Sequence, residues 1–306
     1  MGPPDAILGV TEAYKHDKNP KKINLGVGAY RDDNGKPYVL PCVRKAEEQL
    51  QKMNLDKEYA PISGITEFCK RSSKFAFGDD SEVITNGLNA TIQGISGTGS
   101  LRMGAAFLND FFPGNKVIYV SNPTWLPHIS LFKHAGLDVQ SFKYYKPDTC
   151  SFDFEGALHD ISNIPEKSII LLHACAHNPT GVGPNFQQWT EISQIVKNRK
   201  LFPFFDMAYQ GFAFGDGDKD AQAVRLFVKN GHKIALAQSF AENMGLYGER
   251  VGALTIIAAS KEEVTKIISQ INILIRAMYS TPPTHGAQIV SQILGDPKLK
   301  ADWLRS

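Results

Sequence analysis

Seven short apolar runs, at 91–96, 117–121, 139–144, 168–173, 201–206, 234–238 and 251–257, are separated by longer amphipathic or loop-like stretches. This alternation constrains the fold more than any other feature of the chain. Short runs of nearly continuous apolar residues suit strands buried on both faces. Helical periodicity at 99–112, 185–198 and 221–230 supplies the covering layers. Strands separated by helices run mainly parallel, because a parallel pair needs a crossover long enough to hold a helix. The expectation is an α/β fold with a mainly parallel seven-stranded sheet between helices. Functional groups in such sheets gather beyond the carboxyl ends of the strands.

The flanks read differently. Residues 1–4 suit an extended arm, and Asp5 is placed to cap a short helix with Ile7, Val10 and Tyr14 on one face. Ile23 to Tyr30 has strand character, and Asp33-Asn34-Gly35 is a turn signal before Tyr38-Val39-Leu40. Gly26-Val27-Gly28 interrupts that strand, and a bulge is the plain account. Val43 to Met53, Gly64 to Phe77, Lys261 to Arg276 and Thr284 to Leu294 have helical patterns. A last helix opens at Asp296-Pro297, and Trp303 and Leu304 near its end are expected to be exposed.

The net charge of +2 gives no electrostatic footprint for a nucleic-acid partner. Cys42, Cys69, Cys150 and Cys175 show no CxxC spacing, so a disulfide framework is not expected. No run approaches the ~18 apolar residues of a membrane span. Met1-Gly2-Pro3-Pro4-Asp5 reads neither as a signal core nor as an Arg-rich presequence.

Four stretches carry chemistry. Ser239-Phe240-Ala241-Glu242-Asn243-Met244-Gly245-Leu246-Tyr247-Gly248-Glu249-Arg250 joins two apolar runs and suits a loop around a ligand. Ser239 brings a hydroxyl, Gly245 and Gly248 allow close approach, and Arg250 is a permanent cation suited to phosphate. Ser96-Gly97-Thr98-Gly99-Ser100 sits between a strand and a helix, where backbone N–H groups can meet an anion. Alone it reads more readily as a tight strand-to-helix turn, and its glycines do not follow the G-x-G-x-x-G dinucleotide spacing. His173, Cys175 and His177 alternate along one apparent strand face, which raises a zinc site. No fourth ligand cluster accompanies them, and no metal is expected. Asp206 ends the very apolar run Leu201-Phe202-Pro203-Phe204-Phe205, where a carboxylate is costly unless it meets a cation or strong donor. Trp125 and His128 alone suit a core tryptophan and an ordinary satisfied histidine.

The 239–252 stretch closely resembles the cofactor-lysine loop of the aspartate aminotransferases, pyridoxal-phosphate (PLP) enzymes of fold type I. Their pattern is Ser-x-x-Lys-x-x-Gly-Leu-Tyr followed by Glu-Arg-Val-Gly. Ser239, Gly245, Leu246, Tyr247, Glu249, Arg250, Val251 and Gly252 match it, while Glu242 stands at the lysine position. Asn178-Pro179-Thr180-Gly181 and the Asp206–Tyr209 segment match further family motifs.

The resemblance implies that Asp206 meets the pyridine nitrogen, supported by His128. It places Asn178 and Tyr209 on the ring hydroxyl, Trp125 over the ring and Ala208 beside it. Ser96, Gly97, Thr98, Ser239 and Arg250 are implied to hold the phosphate, with Tyr59 reaching across a homodimer. Gly28, Trp125, Asn178 and Arg276 are implied to contact substrate, and Tyr59, Asp206 and position 242 to be catalytic. Glu242 cannot make the covalent carbon–nitrogen link that a lysine makes, so PLP is expected to be non-covalent if bound at all.

The implied reaction is L-aspartate plus 2-oxoglutarate to oxaloacetate plus L-glutamate, in a homodimer with shared active sites. The alternative is a catalytically inactive homologue or fragment that binds PLP or its amine form non-covalently, or only dimerises. The resemblance also implies a mitochondrial matrix location. It assigns 1–44 to an arm and part of a small domain, 45–295 to the large domain, and 296–306 to the start of a helix leading to the remaining small domain. That remainder, with a second substrate-binding arginine, is expected to lie beyond the sequence.

Overall fold

The computed structural model describes residues 8–24, 26 and 28–305. The expected arm, the Asp5 cap, Ile7 and Val27 lie outside the described residues.

Seven strands form one sheet: β1 (Asn89–Ile95), β2 (Val117–Asn122), β3 (Asp138–Lys143), β6 (Ile169–His173), β7 (Phe202–Met207), β8 (Ala235–Ser239) and β9 (Val251–Ile257). Their order is β1-β9-β8-β7-β6-β2-β3. A two-stranded hairpin, β4 (Tyr145–Lys146) with β5 (Ser151–Phe152), stands apart from it. The pairs β2·β3, β2·β6, β6·β7 and β7·β8 are parallel, while β9 runs antiparallel to both β1 and β8. The antiparallel strand follows from the loop that joins β8 to β9: with no crossover helix to carry the chain back, it can only reverse. Central strands β6, β8 and β9 are buried at every position, whereas edge strand β3 exposes Asp138, Gln140, Ser141 and Lys143.

Each face of the sheet has its own core. On one side Leu172, Phe205 and Leu236 pack with Ile161, Trp189, Val196 and Phe227 from the helices Phe154–Asn163, Phe186–Asn198 and Gln222–Lys229. On the other, Ile92, Ile118, Phe204 and Leu254 meet Leu101, Met103, Phe132 and Ile271 from Ser96–Phe111, Pro127–His134 and Lys261–Met278. A third cluster joins the helices Pro41–Met53, Thr66–Phe77, His285–Gly295 and Pro297–Arg305 to Phe240, Met244 and Leu246 of the β8–β9 loop. The final helix therefore braces the loop that follows β8.

Three expectations change. Ile23 to Tyr30 forms no strand among its described residues. Only the bridge Arg31↔Pro37 survives, with Gly35 closing the turn at φ +71°. Trp303 is buried at 4% exposure, against Phe75, rather than exposed. The helix Leu8–His16 forms, yet Val10 on its expected apolar face is 56% exposed.

Candidate active site

The β6–β7 register sets Asp206 directly beside His173 at the carboxyl ends of two parallel strands. His128, buried in the helix Pro127–His134, reaches over them, and its Nε2 lies 3.0 Å from Asp206 Oδ2. Thr124 Oγ1 lies 2.8 Å from His128 Nδ1 and fixes the ring from behind. Trp125 stands edge-on to His128, with ring centroids 5.1 Å apart. The Asp206 side chain keeps 14% exposure, so its free face opens toward the site.

His128, His173 and Asp206 are a group whose ligand atoms lie within 4.8 Å of one another, without Cys175 or His177. The strand ends at His173, so the alternating face expected for those three residues does not exist. The Asn178 N–H donates to His173 Nδ1 at 3.3 Å, and His128 Nε2 donates to Asp206. Neutral His173 therefore carries its proton on Nε2, and His128 meets the Asp206 carboxylate through its own Nε2. His173 Nε2 has no partner among the described residues.

Around the β8–β9 loop lies a second set of groups. Ser96 opens the helix Ser96–Phe111 with φ +60°, and its N–H donates to the carbonyl of Arg250, itself at φ +51°. Two non-glycine residues in the left-handed region, each costing about 1–2 kcal/mol, mark a junction that its surroundings hold in place. Gly97 permits the close approach: a Cβ there would lie 2.9 Å from Ser239 Cβ. Ser96 Oγ and Ser239 Oγ are 3.4 Å apart. Helix N–H groups, two hydroxyls and the exposed Arg250 guanidinium together suit an anion. Thr98 is exposed on the first turn.

Glu242 sits beside this cup. Ser239 Oγ donates to Glu242 Oε2 at 2.6 Å. Burial raises the Glu242 carboxyl above its usual range, with Asp206 adding to the rise, while the Ser239 bond and Arg250 oppose it. Tyr209 is pushed up to about 12, first by burial and then by Glu242 and Asp206. Asp206, Tyr209 and Glu242 thus share one electrostatic neighbourhood, with Ala208 half-buried on the connecting chain and Asn178 half-buried after β6.

Three expected residues stand outside this cluster. Gly28 is exposed, and a Cβ there would meet nothing within 4 Å; Tyr59 is 83% exposed, and Arg276 bonds to Ser280 Oγ. Arg276 shares a shallow cleft with Ile62 and Ile273. The residues that sequence patterns missed are Thr124, which fixes His128, and His173, the register partner of Asp206. Thr124 lies four residues before His128, ahead of the helix, and no sequence pattern flags it. The place of His173 follows only from strand register.

The aminotransferase class I and II family model matches residues 20–306. The chain belongs to the class I and II aminotransferases. Within them it is of the aspartate aminotransferase type. It is 58% identical over 305 residues to the mitochondrial aspartate aminotransferase of Xenopus tropicalis, covering 100% of this chain and 71% of that protein. The mitochondrial aspartate aminotransferase of Gallus gallus is 58% identical over 304 residues, covering 99% and 72%. A crystal structure of the aromatic-amino-acid aminotransferase of Burkholderia pseudomallei, covalently bound to pyridoxal phosphate, superposes with a TM-score of 0.94. It is 43% identical and covers 100% of this chain and 76% of that one. Class I and II aminotransferases use PLP and act on amino and oxo acids. Among the described residues no helix of this aminotransferase is long and apolar enough to cross a membrane.

The site of this aminotransferase fits the two polar ends of PLP. Asp206, braced by His128 and Thr124, suits a protonated ring nitrogen, and the cup at Ser96, Gly97 and Ser239 suits a phosphate. Position 242 does not fit a covalent link, because a carboxylate is no nucleophile toward an aldehyde in the way an amine is.

Buried histidines add an acid limit. His177 is lowered to about 4, by burial and then by His128; His232 is lowered to about 4, chiefly by burial; His173 falls well below its usual value for the same reason. Each has a folded value below its ordinary 6.5, so its contribution is present above that pH and is lost as pH falls toward 4. Glu242 and Asp220, both raised by burial, act in the opposite direction. Melting temperature is expected to drop steeply between pH 6.5 and 4, and His232→Gln to flatten part of that drop. A pH-independent melt across this window contradicts the buried-neutral assignment.

Proposed function

We propose that this aspartate-type aminotransferase holds PLP, or its amine form, without a covalent anchor. Its substrates are L-aspartate, L-glutamate, 2-oxoglutarate and oxaloacetate. The observation that most supports this is the Asp206 carboxylate, half-buried at a strand end and braced by His128 and Thr124. Such an arrangement is costly unless a cation meets it. When bound, PLP supplies an electron sink through which an amino group passes between an amino acid and an oxo acid.

Asp206 keeps a proton on the ring nitrogen, and Asn178 and Tyr209 orient the ring hydroxyl. Trp125 covers the ring and, with Asn178 and Gly28, limits where substrate can lie. Ser96, Gly97, Thr98, Ser239 and Arg250 hold the phosphate. Tyr59 and Arg276 act across a homodimer, Arg276 on the side-chain carboxylate of the substrate. Their exposure in the single chain, beside Ile273 at 64%, fits a face that a second copy covers. The matrix of the mitochondrion is the assigned compartment. Residues 1–44, 45–295 and 296–306 are assigned as arm with part of the small domain, large domain, and lead-in to the remaining small domain.

Glu242 favours a second reading, cofactor binding with little turnover, since it removes both the covalent link and the proton carrier. Titration with pyridoxamine phosphate, read by tryptophan fluorescence, tests the binding site common to both. Saturable binding is expected, and Asp206→Ala weakens it by at least about tenfold, as loss of a buried charge partner does. Binding untouched by Asp206→Ala, or no saturation at all, overturns the proposal.

A further inference from the structure

We propose that Glu242 is a resident anion of the phosphate cup, a specificity-determining residue that disfavours bare anions and favours phosphate esters carrying a nearby cation. The inference deepens the proposed function, on which it rests for the identity of the cup. A hydroxyl has one proton to donate. Ser239 gives its proton to Glu242 Oε2 at 2.6 Å, while Ser239 Oγ also lies 3.4 Å from Ser96 Oγ and accepts from the Ala241 N–H at 3.2 Å. An incoming phosphate that takes the Ser239 proton must first break that short, charge-assisted bond. It also brings a second anion beside a carboxylate that burial has already stripped of much water. Two like charges in one partly buried site do not both persist; one is neutralised or leaves.

The surroundings decide what relieves this. From the β7 end, Asp206 makes Glu242 harder to ionise, and Glu242 in turn holds the Tyr209 phenol up; His128 stands behind Asp206. From the turn before β9, Arg250 is the cation in reach, with Tyr247 nearby, and Arg250 donates to the Tyr247 carbonyl at 2.9 Å. One arginine serves two anions poorly. Two events free the cup: protonation of Glu242, or a ligand whose own ammonium group draws the carboxylate away from Ser239. Pyridoxamine phosphate carries such a group, whereas inorganic phosphate, sulfate and the aldehyde form do not.

Calorimetric titration of sulfate, inorganic phosphate and pyridoxamine phosphate into the native chain and Glu242→Gln tests this. Sulfate is the decisive probe, because its charge is constant across the range while that of phosphate changes. At about pH 8, Glu242→Gln is expected to bind sulfate and phosphate at least about tenfold more tightly than the native chain. For sulfate the gap narrows on acidification, as Glu242 takes up its proton. Pyridoxamine phosphate gains least from the substitution. Equal sulfate affinity of the two chains at about pH 8 overturns the inference, as does a gap that does not narrow on acidification. Glu242→Ala serves if the glutamine variant fails to fold. Should Glu242→Gln tighten sulfate while pyridoxamine phosphate binds neither chain, the anion cup stands and the cofactor assignment falls. Loss of pyridoxamine phosphate binding in Asp206→Ala, without any Glu242→Gln effect on sulfate, leaves the cofactor assignment standing and overturns the role given to Glu242.

Discussion

Replacing Glu242 with lysine is expected to create a covalent pyridoxyl adduct at position 242, and to raise aspartate–2-oxoglutarate turnover by roughly 10²–10⁴-fold once the remaining small domain is supplied as well. The side chain at 242 is half-buried in the turn after β8, in the same electrostatic neighbourhood as Asp206 and Tyr209, with Arg250 acting on it. A lysine there keeps a primary amine close to a cation and partly out of water. Both effects favour the neutral, nucleophilic amine. The substitution also releases the Ser239 hydroxyl from its 2.6 Å bond, so the phosphate cup gains a donor at the same time. The native carboxylate supplies neither a covalent link nor a base of suitable strength and reach. Borohydride treatment in the presence of PLP, followed by peptide mapping of residues 231–260, is the sharper readout. It needs only the amine and the cup, not complete turnover. The native chain is expected to show no adduct at 242 and the variant a single one. An adduct at 242 in the native chain, or none in the lysine variant, would count decisively against the role given to Glu242.

The sheet was legible because its strands are short, apolar and evenly interrupted. Each of the seven expected runs lies within a few residues of an observed strand, and differences of a residue or two at the ends reflect fraying and capping. Ser96 shows the limit: it continues the apolar run in sequence but takes φ +60° and opens a helix, a choice forced by the contact with Arg250. Ile23 to Tyr30 misled because alternation describes a strand only where another strand is available to pair with it. Here Tyr30 N–H instead donates to Tyr247 Oη, and pairing beyond Tyr38 is absent among the described residues. The residues around Asp206 were recognised through motif resemblance, not through spacing. Physical reasoning on one sequence cannot see that His173 and Asp206, 33 positions apart, are register partners. The direction taken by Glu242, toward Ser239, was likewise invisible until the turn after β8 had a shape.

Truncating Trp303 to alanine is expected to destabilise the chain by about 3–5 kcal/mol, a large share of the stability of an ordinary domain. The indole is buried against Phe75, with ring centroids 5.3 Å apart, and its Nε1–H donates to the Asn243 carbonyl at 2.7 Å. It also fills the space above Gly211, where even a Cβ would come within 2.8 Å of the ring. Removing it therefore opens a cavity between the final helix and the β8–β9 loop, and strands a buried carbonyl one residue from Glu242. Trp303→Phe separates the two losses, since it keeps much of the packing and forfeits the donor, at a cost of about 1–3 kcal/mol. Urea unfolding of both variants measures the difference, with unchanged slope as the sign that cooperativity is intact. Because Asn243 Nδ2 donates in turn to the Gln210 carbonyl at 2.9 Å, the strain is expected to spread to the chain just past Tyr209. Pyridoxamine phosphate affinity should then fall in Trp303→Ala although the indole touches no ligand-binding group. An alanine variant that unfolds within about 0.5 kcal/mol of the native chain sinks the assignment of Trp303 as the brace of this loop.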